Sequence, residues 1–196
     1  MTTEGPRPDA PVLADRAAAW RAAYVHVPFC RRVCPYCDFA VVAGRDDLRP
    51  AYLDALAAEI ASAEPFGPLR AVAFGGGTPS RIDAAGLGRV LDVLAGRFGL
   101  EDEAEVSLEA NPEDWDADLA RGLAAAGFTR LSLGAQSFDP EVLADLGRLH
   151  RPDDARRAVE QARDAGFGSV SLDLIFGSPA ESEGSWDRSV GAALGC

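Results

Sequence analysis

Ala71-Val72-Ala73-Phe74-Gly75-Gly76-Gly77-Thr78-Pro79 reads as a short buried strand that runs straight into a glycine turn. Four apolar residues are too few for a helix, and the glycines stop the run abruptly. Just downstream, Asp83–Phe98 sets Leu87, Val90, Leu91, Leu94 and Phe98 on one helical face. The stretch is therefore a strand–turn–helix unit, and the same alternation extends in both directions. Tyr24–Phe29, Glu105–Ala110, Arg130–Gly134 and Ser169–Phe176 are the other strand candidates. Helical patterns fall between them. Asp46–Glu64 carries Leu53, Leu56 and Ile60, and Asp116–Ala126 stops at Gly127. Asp139 caps Pro140–Leu146, and Asp153–Ala165 stops at Gly166. The fold class is α/β. The alternation predicts a parallel sheet, either open or an incomplete barrel, with functional groups at the carboxyl ends of its strands.

Composition narrows the chemistry. The chain has 196 residues, 47% apolar and 26% charged, enough for one globular domain. A net charge of −12 argues against non-specific nucleic-acid binding, which needs a basic face. All 19 basic residues are Arg, which excludes Schiff-base chemistry and a P-loop lysine. His26 and His150 are the only histidines, so a three-His zinc site is excluded. No apolar stretch forms a secretory signal or approaches the ~18 residues of a membrane span, so a cytoplasmic protein without an integral membrane segment is expected. Residues 1–22, with Pro6, Pro8 and Pro11, read as a loose, flexible N-terminal arm with room for a short helix at its end. The core is expected over residues 23–196. The chain reaches Cys196 within a helical pattern that starts near Ser185, so it reads as truncated.

Cys30, Cys34 and Cys37 form a C-x3-C-x2-C triplet just after the first strand. In a reducing compartment such spacing reads as metal-binding rather than as a disulfide framework. A [4Fe–4S] cube usually takes four thiolates. Three on a tight loop, turned by Pro35, leave one iron open to another ligand, as in radical S-adenosylmethionine (SAM) sites. Tyr36 sits between the last two cysteines, where it shields the cluster and faces adenine. The alternative is a zinc-bound, non-catalytic module with His26 as a fourth ligand. Against it, a side chain on an alternating strand does not naturally converge with a loop at that strand's end. Cys196 has no assigned role.

Polar groups recur at the same end of the expected sheet. Gly75-Gly76-Gly77 exposes backbone without Cβ obstruction, either to approach a ligand or to make a tight turn. Glu109 ends the third strand, Gln136 the fourth, and Asp173 lies in the fifth. A carboxylate inside an apolar strand is costly unless paired or functional. Arg148 is placed to pair with a carboxylate in bidentate fashion.

In order, these residues closely resemble the radical SAM family of oxygen-independent coproporphyrinogen III oxidases and the related heme chaperones of the HemW type. The carriers are Tyr24-Val25-His26-Val27-Pro28-Phe29-Cys30, Cys34-Pro35-Tyr36-Cys37-Asp38-Phe39 and Phe74-Gly75-Gly76-Gly77-Thr78-Pro79-Ser80. Further carriers are Leu108-Glu109-Ala110-Asn111-Pro112, Leu131–Phe138, Gly147-Arg148-Leu149-His150 and Asp173–Gly177. The resemblance implies a partial (β/α)6 radical SAM barrel with about five of six strands present. It implies a [4Fe–4S] cluster on Cys30, Cys34 and Cys37. It places SAM contacts at Tyr24, Tyr36, Gly76, Gly77, Thr78, Glu109, Gln136, Arg148 and Asp173. The oxidases carry a further Cys two residues after the third ligand, where this chain has Phe39. That favours the chaperone branch, which binds heme and passes it to acceptor proteins. Coproporphyrinogen III oxidase activity in porphyrin biosynthesis is the alternative. An electron donor such as flavodoxin or ferredoxin is implied. The family's sixth strand and its C-terminal domain, with a His-Asn-x-x-Tyr-Trp stretch, have no counterpart in these 196 residues.

Overall fold

The structure, a computed structural model, describes residues 21–196. All of the expected arm before residue 21 lies outside the described residues. The strands are β1 (Ala22–Val27), β2 (Phe29–Cys30), β3 (Val42–Ala43), β4 (Leu69–Gly76), β5 (Leu100–Ala110), β6 (Arg130–Gln136) and β7 (Ser169–Leu174). The helices are α1 (Arg49–Ser62), α2 (Ala84–Phe98), α3 (Ala117–Ala125), α4 (Pro140–Asp145), α5 (Pro152–Ala165) and α6 (Glu183–Leu194).

The main sheet has five strands in the order β1-β4-β5-β6-β7, and every pair is parallel. Strand order follows chain order, and successive long helices touch, α1 to α2, α2 to α3 and α3 to α5. The sheet is therefore singly wound with one helical layer, the arrangement of a partial barrel. Its helix-facing side chains form the core. Val72, Phe74, Leu108, Leu131 and Leu133 meet Leu87, Val90, Leu91 and Leu123, all at most 4% exposed. Each such side chain contributes roughly 1.5–3 kcal/mol by leaving water. Phe74 packs on Phe128 with ring centres 5.0 Å apart.

Local signals explain the helix ends. Asp83 accepts a hydrogen bond from Gly86 N at 2.7 Å and starts α2. Asp116 does the same for α3, and Asp139, followed by Pro140, for α4. Gly166, at φ 97°, ends α5 in a left-handed conformation that favours glycine.

Several boundaries shift, with β4 beginning at Leu69 rather than Ala71 and β5 at Leu100 rather than Glu105. The first strand, expected to run to Phe29, stops at Val27, because Pro28 has no N–H to continue the ladder. Phe29-Cys30 instead pairs with Val42-Ala43 in a separate two-residue ladder. The fifth main strand ends at Leu174 rather than Phe176, where its ladder with β6 ends. The last helix begins at Glu183, two residues before the expected start, because Ser182 caps it. No helix of the described residues is long and apolar enough to cross a membrane.

Candidate functional site

The carboxyl ends of β4, β5, β6 and β7 and the loop between β2 and β3 enclose one cavity of about 290 Å³. Cys30, Cys34 and Cys37 all line it, none in a disulfide and each half-buried. A turn closed by Cys37 N donating to Cys34 O at 3.0 Å brings the last two together. Burial pushes the Cys30 thiol up, opposed by a hydrogen bond to Thr78 and reinforced by Cys37 and Cys34. Among the described residues, no three His, Cys, Asp or Glu side chains gather closely enough for a single metal ion. A cube carries its irons at separate corners, so its ligands need not meet at one point. His26, the fourth ligand of the zinc alternative, instead donates from Nε2 to Ala40 O at 2.9 Å. The donor set of three free thiols around one cavity fits a [4Fe–4S] cluster with one open iron.

Of the other expected site residues, Tyr36, Gly76, Gly77, Thr78, Glu109, Gln136, Arg148 and Asp173 line the same cavity. Tyr24 does not line it, but its hydroxyl lies over Gly75 beside Glu109. Burial, then Glu109, raises the Tyr24 pKa. Glu109 accepts from Gly76 N at 3.1 Å, and Asp173 accepts from Ser132 Oγ at 3.1 Å. Both carboxylates thus have fixed directions. Gln136 has φ 61°, the one non-glycine residue with positive φ among the described residues. Such a conformation costs of order 1–3 kcal/mol and clusters at functional sites.

The glycine run has a definite packing reason. A Cβ on Gly76 would meet the His26 ring at 2.5 Å, and one on Gly77 would meet the Pro28 carbonyl carbon at 2.7 Å. Gly77 N donates to Val27 O and Thr78 N to Phe29 O, both at 2.8 Å. The glycines press the cysteine loop against β4. These contacts display a role beside the ligand approach and the tight turn expected from the sequence, the close packing of backbone on the neighbouring strand and loop.

Arg148 is held more tightly than the sequence implied. Its side chain is 4% exposed. Nη2 donates to Asn111 Oδ1 at 2.7 Å, to Gly134 O at 3.1 Å and to Glu113 Oε2 at 3.3 Å. Nη1 faces Cys34 Sγ at 3.8 Å and the Tyr36 hydroxyl at 3.5 Å. Its Nε is buried without a partner. With Nη2 committed to protein, the guanidinium turns Nη1 to the cavity rather than a bidentate fork. Burial alone would lower its pKa, but Glu113, Tyr36 and Cys34 raise it. Tyr36 is pushed up to about 12, by burial first and by Cys34, against the opposing Arg148.

Asn111, Glu113, Ser132 and His150 were not singled out from the sequence, although Asn111, Ser132 and His150 lie inside quoted motifs. A second polar set lies below the cysteine loop. Asp114, 4% exposed, accepts from Arg31 Nη2 at 2.6 Å and from Arg81 Nη1 at 2.9 Å. It ties the loop to the turns that follow β4 and β5.

Residues 24–192 match the Radical SAM superfamily. The protein named heme chaperone HemW in Mycobacterium tuberculosis strain H37Rv is 45% identical over 179 residues, covering 87% of this chain and 45% of that protein. The oxygen-independent coproporphyrinogen III oxidase of Salmonella typhimurium strain LT2 is 36% identical over 162 residues, 81% of this chain and 35% of its own length. The solved structure of coproporphyrinogen III oxidase (HemN) from Escherichia coli, described as a radical SAM enzyme, has a TM-score of 0.82 at 32% identity. That match covers 90% of this chain and 43% of the other. The chain thus spans less than half the length of these relatives.

Proposed function

Because the chain belongs to the radical SAM superfamily, we propose that it is the cluster- and SAM-binding part of a heme chaperone. The observation that carries the site is the set of three unpaired thiols on one cavity. Cys30, Cys34 and Cys37 would hold a [4Fe–4S] cluster, with SAM in the rest of the cavity. When bound, the cluster supplies an open iron for the amino-acid end of SAM and an electron for its sulfonium. The protein's part is to bind and orient. Gly76, Gly77 and Thr78 offer wall and backbone. Glu109 and Asp173 offer carboxylates to ribose hydroxyls or an ammonium. Gln136 offers an amide and Tyr36 a ring face. Arg148 brings positive charge beside Cys34.

Phe39 favours the chaperone branch. It stands where the oxidases carry a further Cys, and it is 72% exposed on the cavity rim. Val33 and Leu149 are exposed on the same rim, with Arg32. An apolar rim with a cation suits a flat, apolar macrocycle bearing carboxylates, which is the chemistry of heme as cargo. Heme-accepting proteins and a one-electron donor of the flavodoxin or ferredoxin kind would be the partners. The oxidase reading is the second one, favoured by the TM-score of 0.82 to HemN.

Anaerobic reconstitution separates these readings. The expected result is a chain with iron and sulfide whose reduced paramagnetic signal changes on adding SAM, which perturbs hemin absorption, and which releases no carbon dioxide from coproporphyrinogen III. A reduced signal indifferent to SAM would sink the open-iron assignment. Carbon dioxide release would transfer the chain to the oxidase branch.

A further inference from the structure

We propose that Glu113 and His150 are positioning residues that aim the Arg148 guanidinium at the Cys34 sulfur. The inference rests on the reading of Cys34 as a cluster ligand. A hydrogen-bonded path joins two of the three cysteines. Cys30 Sγ lies 3.5 Å from Thr78 Oγ1, which accepts from Asn111 Nδ2 at 3.0 Å. Asn111 Oδ1 accepts from Arg148 Nη2, and Arg148 Nη1 reaches Cys34 Sγ. The direction of this path depends on what holds the arginine from behind.

Behind it stands His150, with a side chain 0% exposed. Its Nε2 donates to Ala135 O at 3.0 Å, and its Nδ1 lies 3.2 Å from Glu113 Oε2. The same Glu113 oxygen accepts from Arg148. Glu113 has its pKa lowered: burial alone would raise it, but His150 and Arg148 outweigh that. The backbone makes room for these contacts. The register of β6 against β7 shifts between Leu133 and Gln136. That irregularity turns Gly134 O to Arg148 and Ala135 O to His150. A buried guanidinium needs such partners, because an unpaired one costs several kcal/mol. Nη1 has both the Tyr36 hydroxyl and Cys34 Sγ within reach, and a cation held only to satisfy itself has no need of the thiol. Hydrogen bonds to cluster sulfurs are among the factors that set reduction potential.

Two conservative variants of the full chain test this by potentiometry and paramagnetic resonance of the reconstituted cluster. His150→Asn places an amide nitrogen near the position of Nδ1 and keeps the Glu113 contact. His150→Gln reaches the position of Nε2 and keeps only the Ala135 contact. The expected result is a wild-type signal and potential for H150N. H150Q should shift to a more negative potential, in the direction of Arg148→Met, at equal iron content. Because His150 acts through Arg148, the H150Q/R148M double variant should shift no further than R148M. The reverse order of H150N and H150Q, or no shift in either, would overturn the inference while leaving the cluster assignment intact. A wild-type chain that holds no iron and sulfide would overturn the site reading itself, and this inference with it.

Discussion

Replacing Gly77 with Ala probes the junction on which the whole site is built. The new Cβ would lie 2.7 Å from the Pro28 carbonyl carbon, 2.8 Å from its oxygen and 2.9 Å from Val27 O. All three are backbone atoms, so no side chain can rotate away. Overpacking of this kind costs about 1–3 kcal/mol. Separation of the two segments also weakens two backbone hydrogen bonds, Gly77 N to Val27 O and Thr78 N to Phe29 O, at about 0.5–1.5 kcal/mol each. The expected loss is therefore roughly 2–6 kcal/mol, or very roughly 4–24 °C in Tm at about 2–4 °C per kcal/mol. Urea unfolding of the apo chain measures it, with Gly96→Ala as control. Gly96 lies inside α2 with open space around its Cβ position, so that change should stabilise by about 0.5–1 kcal/mol. The reconstituted G77A chain should also bind less iron, since the cysteine loop hangs from the same junction. A G77A loss below about 1 kcal/mol with wild-type iron content would refute the reasoning.

Cys34→Ala should abolish the cluster by iron and sulfide analysis, and full iron retention would show that these thiols are not the ligands. Asp114→Ala leaves Arg81, 13% exposed, and Arg31 without their shared carboxylate. The expected loss in urea unfolding is about 3 kcal/mol, and a loss under about 0.5 kcal/mol would assign that contact to solvent screening. Asp139 has its pKa lowered by Arg188 first, and by the Glu141 and Val142 N–H groups it caps. A depressed folded-state pKa gives stability that is fully present above about pH 4, the ordinary carboxylate value, and is lost as pH falls through the lower folded value. Tm differences between wild type and Asp139→Asn should accordingly be constant near neutrality and close below pH 4. A gap that widens on acidification would contradict that sign.

Much of this was legible in the residues. Periodicity gave all five main strands and six helices, because each long helix has an apolar stripe and each strand end has a glycine, proline or capping acid beside it. Pro28 was one of the missed boundaries, since an apolar run hides the loss of one N–H donor. The Phe29-Cys30 ladder with Val42-Ala43 is too short to have a period at all. Within the site, the three cysteines and the groups at Glu109, Gln136 and Asp173 could be placed from strand order alone. Glu113 and His150 could not. Their meaning lies in complete burial and in the shifted register of β6, both products of tertiary packing. The bidentate role foreseen for Arg148 gave way for the same reason, because Asn111, Gly134 and Glu113 had already claimed one end of it.

The small ladder between β2 and β3 gives the cysteine loop a property that its sequence does not announce. Val42 N donates to Pro28 O and Gly44 N to Cys30 O, so both ends of residues 31–41 are clasped by main chain. Closing a loop costs entropy that grows slowly with its length. Here main-chain amides at both ends meet part of that cost. Many small metal-binding modules use the metal to fold the chain. In this chain the five-stranded sheet and its helices rest on apolar packing away from the cysteines, so losing the cluster should unsettle residues 31–41 and leave the sheet folded.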